Sequence, residues 1–94
     1  MIDGILPSLS GAIRFTQHAQ QRLKSDQVNL TVSEINRIQG GMDKAAEKGA
    51  KESLLLMEDK AFIVNAKDRV VITSINRERL RENVFTNIDS AVII

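Results

Sequence analysis

The chain has 94 residues, 43% hydrophobic and 27% charged, with a formal net charge of +1. That composition is globular and of one-domain size, so it excludes a wholly disordered chain and lacks the positive field of a dedicated duplex-DNA binder. The absence of cysteine excludes disulfides, thiolate metal sites and a cysteine nucleophile, and no apolar run approaches the roughly 20 residues of a membrane span.

Residues 1–14 hold the only proline, Pro7, together with Gly4, Ser8, Ser10 and Gly11. Their apolar residues show no sustained period, which predicts a flexible arm ahead of a single α+β domain over 15–94. Met1-Ile2-Asp3-Gly4 lacks the basic and then apolar layout of a signal peptide, so the expected location is cytoplasmic.

A first helix is expected from an N-cap at Thr16, with Phe15, Ala19 and Leu23 four apart on one face. The second helix has the clearest local signal. Thr31-Val32-Ser33-Glu34 reads as a capping box, flanked by Leu30 and Ile35 in staple positions. Ile35, Ile38, Met42 and Ala45 continue as an apolar stripe, and Gly49 reads as the stop. Gly40-Gly41 conflicts with that stripe, because each glycine costs up to about 1 kcal/mol in a helix. The pair marks either a break into two helices or a close approach of another backbone.

Three short apolar runs follow, Ser53 to Met57, Ala61 to Val64 and Val70 to Ile75, separated by charged turns. Their length and β-branched content predict a three-stranded antiparallel meander. Asn76 to Glu82 predicts a short helix or a loop. The closing Ala91-Val92-Ile93-Ile94 either packs back on the sheet, as a strand or a short helix, or serves a partner. Both faces of a strand such as Leu54 to Met57 read as apolar. Two helices over three strands leave one face to cover, so a homodimer or a protein partner is expected at a face or an edge.

The residues supply little for catalysis. His18 is the only histidine, its nearest polar neighbours are Gln17, Gln21 and Arg22, and neither a metal site nor another cofactor site follows from that set. Arg77, Arg79 and Arg81 alternate with Glu78 and Glu82. In an extended chain the three arginines share a face that could meet phosphate, and they are the candidate RNA-binding residues.

Phe15 to Leu23, Lys48 to Leu54, Val70 to Thr73 and Val84 to Ile93 together resemble a small family of bacterial proteins encoded within flagellar operons. The resemblance covers about residues 13–94, and the closing segment is its most specific part. It implies a non-enzymatic role in flagellar assembly or its regulation, near the rod, hook or export apparatus, with other flagellar proteins as partners and a place at the basal body. Phe85, Thr86, Asn87, Ile88 and Asp89 are then the candidate partner-binding residues. The family implies an alternative role, an RNA-binding regulator of flagellar gene expression. A weaker similarity, His18-Ala19 and Arg22-Leu23 on a first helix ahead of a meander, is to RelE-like ribonuclease toxins. Here the strands offer only Lys60 and Arg69 at their starts, which argues against that chemistry.

Overall fold

The computed structural model describes residues 13–80, 88 and 90–94. The elements in chain order are β1 (Arg14–Phe15), α1 (Gln17–Ser25), α2 (Val32–Glu47), β2 (Glu52–Leu56), β3 (Lys60–Asn65), β4 (Val70–Asn76), a 3₁₀ turn at Arg77–Arg79, and β5 (Ser90–Ile93).

Both helices start where side-chain chemistry places them. Thr16 Oγ1 accepts the Ala19 amide at 3.0 Å and donates to the Ile72 carbonyl at 2.7 Å, so one hydroxyl caps α1 and ties it to β4. At α2 the Thr31 hydroxyl accepts from the Glu34 amide at 3.1 Å, and the Glu34 carboxylate accepts from the Thr31 amide at 2.9 Å. Gly49 follows the helix at φ 76°, a left-handed conformation that glycine adopts without strain. Despite Gly40-Gly41, α2 is one unbroken helix of 16 residues.

The chain is α+β as expected, but the sheet is larger than a three-stranded meander. β2, β3 and β4 do pair antiparallel in sequence order. Two further strands flank them in parallel, giving a five-stranded mixed sheet of order β1-β4-β3-β2-β5. β1 has two residues, too short for an alternating pattern to announce it, while β5, of four, is the strand expected as one alternative for the closing apolar residues. Of the expected N-terminal arm, residues 1–12 lie outside the described ones. Arg14 is already paired with Val70 in the sheet.

Between the Ile63↔Thr73 and Val64↔Val71 pairs, β4 carries one extra residue, Ile72. This bulge sits where the carbonyl of Ile72 takes the Thr16 hydroxyl.

α1 and α2 lie on the same face of the sheet. Ala19, Ile38, Met42 and Ala45 of the helices form one cluster with Leu55, Phe62, Val64, Val71 and Val92 of the strands. The opposite face holds Leu54, Leu56, Ala61, Ile63, Thr73, Ile75, Ala91 and Ile93, by the register and the period of two. Ala61, Ile63 and Ile75 there are buried, at 0%, 3% and 1% exposure. The centre of the second face therefore needs no companion to keep it from water.

Candidate functional site

Arg77 and Arg79 do not lie in an extended row. Arg77 and Arg79 sit in the 3₁₀ turn. The Arg77 amide donates to the Asp59 carbonyl at 3.2 Å, and its guanidinium donates to the Met57 carbonyl at 2.8 Å. Arg77 thus closes the β2–β3 turn, where a carbonyl otherwise lacks a donor. Arg81 lies outside the described residues.

The basic residues at the strand starts are also engaged. The Lys60 amine pairs with Asp59 at 2.8 Å and Glu34 at 3.5 Å, and Arg69 meets Asp43 at 2.6 Å. The Thr31 amide, and after it the Lys60 charge, hold the Glu34 carboxyl below its ordinary range. Burial draws the Lys60 amine down, but Asp59 and Glu34 outweigh it and hold it above its usual value. These pairs join α2 to the sheet and leave little for an acid–base role. His18 is exposed on α1. Among the described residues there is no group of three or more His, Cys, Asp or Glu that could hold a metal ion.

Of the candidate partner-binding residues, Phe85, Thr86, Asn87 and Asp89 lie outside the described residues, and Ile88 is half-buried. The strand that follows them is structural on one side. Val92 is buried in the helix-side core, and Ile94 packs against it.

The other side of β5 is open. No strand among the described residues pairs with its outer edge. The Ile94 amide donates to the Leu56 carbonyl at 2.8 Å, towards the sheet. Alternation then turns the N–H and C=O groups of Ala91 and Ile93 outward. Ile93 is 77% exposed, one of two large apolar side chains so exposed among the described residues, the other being Val32 on α2.

Between this edge and α2 runs a groove of about 250 Å³ lined by Arg37, Gly40, Gly41, Lys44, Ile93 and Ile94. The two glycines shape it. A Cβ on Gly41 would lie 2.6 Å from Ile94 Cγ2 and 3.0 Å from Leu55 Cδ2, so α2 approaches β2 and β5 closely there. A Cβ on Gly40, which also lines the groove, would meet nothing within 4 Å and stand in open space. The Arg37 guanidinium donates to Glu58 at 2.8 Å and also to the Ile94 carbonyl. The hydrogen bond with Glu58 raises the Arg37 pKa and lowers that of Glu58. Sequence reading found half of this site. It marked Gly40-Gly41 as either a helix break or a close approach of another backbone; the helix runs on, and the groups that Gly41 meets are side chains of Leu55 and Ile94.

A second, wider depression is lined by Glu58, Asp59, Asn76, Arg77 and Glu78. Its one cation is Arg77, already held by the Met57 carbonyl. No helix among the described residues is long and apolar enough to cross a membrane.

A family model described as "Putative flagellar" matches residues 71–93, from the second residue of β4 to the last of β5. The match agrees with the resemblance to flagellar operon proteins. No curated protein and no solved structure matched the chain.

Proposed function

We propose that the chain is a non-enzymatic flagellar assembly or regulatory protein that works at the flagellar base by binding another protein of the apparatus. It does so at the open β5 edge and the groove beside it. The observation that carries this reading is where the family match falls. Residues 71–93 run to the last residue of β5, the strand whose outer backbone groups have no partner strand among the described residues. Strand addition at such an edge supplies affinity from main-chain hydrogen bonds, and side-chain pockets supply selectivity. The RNA-binding alternative loses its main support, because Arg77 is engaged in the fold and does not share an extended face with Arg79.

The test is capture from lysates of flagellated cells with the tagged full chain, read by quantitative mass spectrometry. A rod, hook or export component is expected with the native chain. Its recovery should fall with Ile93→Ser and with Gly40→Leu, two changes at exposed positions that spare the core. Capture of no flagellar component, or recovery unchanged by both variants, overturns the reading.

A further inference from the structure

We infer that the α2–β5 groove selects an extended peptide segment that adds as a strand to β5, with acidic side chains on the α2 side and apolar ones on the other. This inference rests on the partner-binding reading above and gives the partner its chemistry.

A strand presents alternate side chains to opposite faces, so an added strand meets two different surfaces at once. On the α2 side the groove lining contains, among the described residues, two cations, Arg37 and Lys44, and no acidic side chain. Lys44 is exposed and has no ion-pair partner among the described residues. Arg37 is held beside the groove by the Ile94 carbonyl and also binds Glu58, whose side chain is 73% exposed and can give way to a competing carboxylate. Gly40 leaves space between the two cations for a side chain to descend. On the other side Ile93 stands beside Leu56, and Ala91 beside Leu54, by the parallel register. Leu54 and Leu56 are only part-buried, and Ala91 and Ile93 are exposed. That strip takes apolar side chains. The open N–H and C=O groups of Ala91 and Ile93 then complete the ladder.

Charge also discriminates among occupants. A second copy pairing β5 to β5 about a two-fold axis would run the two α2 helices antiparallel. Arg37 of one copy would then face Lys44 of the other across the glycines, and the like charges would repel. A nucleic acid could meet the cations, but it would leave the apolar strip and the strand's amide edge unused.

The test uses the full chain and a fluorophore-labelled, end-capped peptide of alternating Glu and Val, compared with one of alternating Lys and Val, in an anisotropy titration. Saturable binding of the Glu/Val peptide alone is expected. Lys44→Glu should weaken it by about tenfold or more and confer binding of the Lys/Val peptide, a swap that general unfolding cannot produce. Gly40→Leu should abolish binding while the circular dichroism stays native. Equal binding of the two peptides, no saturable binding of the Glu/Val peptide, or indifference to both variants overturns the inference. So does displacement by a short single-stranded RNA at physiological salt, which would assign the groove to polyanions. Sedimentation showing a dimer that Ile93→Ser dissolves would assign the edge to a second copy. If a flagellar component is captured through the edge but the Glu/Val peptide does not bind, the chemistry alone is wrong and the partner-binding reading stands.

Discussion

Gly40 and Gly41 are adjacent in one helix, and replacing each by alanine should move stability in opposite directions. On helix propensity alone, either change stabilises by up to about 1 kcal/mol, because alanine loses less backbone freedom on folding. At Gly40 nothing offsets that gain, since no heavy atom lies within 4 Å of the added carbon. At Gly41 the added methyl meets Ile94 Cγ2 at 2.6 Å and the two Leu55 methyls at 3.0 and 3.2 Å. Ile94 can rotate, but Leu55 is fully buried among α2, Phe62 and Val92 and has nowhere to move. Overpacking of this kind costs about 1–3 kcal/mol, which cancels or exceeds the propensity gain. The two variants should therefore differ by about 1–3 kcal/mol, which for a domain of this size is a gap of at least about 4 °C in melting temperature. The chain has neither Trp nor Tyr, so far-UV circular dichroism in a guanidinium titration is the suitable probe. If Gly41→Ala stabilises as much as Gly40→Ala, the close approach of α2 to β2 and β5 is not as described, and the groove loses its shape.

Three further outcomes rest on single side chains. Glu34 has a lowered folded-state pKa, so its stabilising contribution is present above its unfolded value, about 4.3, and is lost as pH falls through the lower folded value. Glu34→Gln keeps an acceptor for the Thr31 amide and removes the titration, so the loss of stability towards acid should become shallower; identical pH profiles would exclude the role given to this carboxylate. Arg77→Ala should lower stability by about 1 kcal/mol or somewhat more, through the Met57 carbonyl it leaves unpaired, and a neutral result in a denaturant titration would refute that role. Ser53 is fully buried and its hydroxyl has no hydrogen-bond partner among the described residues, so Ser53→Ala should be neutral or stabilising by up to about 1 kcal/mol; a clear destabilisation would show that the hydroxyl is satisfied.

Legibility in the sequence tracked how local each determinant is. The capping box at Thr31 and Glu34 lies within four residues, and it formed as read. The Thr16 cap and the Gly49 stop are equally local. The β2–β4 meander follows from short β-branched runs between charged turns. β1 and β5 depend on partners far along the chain, Val70 for Arg14 and Leu56 for Ile93, so β1 went unread and the closing apolar residues left a strand as one alternative among others. The arginines stayed open between readings for a related reason. Whether Arg77 faces phosphate or a carbonyl is decided by where the β2–β3 turn comes to rest, which the spacing of residues 77–81 does not encode. The groove was half legible: two glycines inside an amphipathic stripe signal a close approach, but only the fold shows that one faces the core and the other faces solvent.

The case for a companion moves from the face of the sheet to its edge. Counting two helices against three strands suggested bare apolar area, yet Ala61, Ile63 and Ile75 are out of water on the face away from the helices. An edge differs in kind from a face, because its exposed N–H and C=O groups keep their capacity to pair however well the side chains pack. Proteins guard such edges with charge, and Arg37 and Lys44 stand beside this one. A guard made of cations is not neutral about what it admits. It repels a second copy, which brings the same two cations to the seam, and it attracts a segment bearing carboxylates. The same two side chains can therefore keep the free protein from pairing with itself and favour an acidic strand from another protein, so protection and recognition need not compete at this edge.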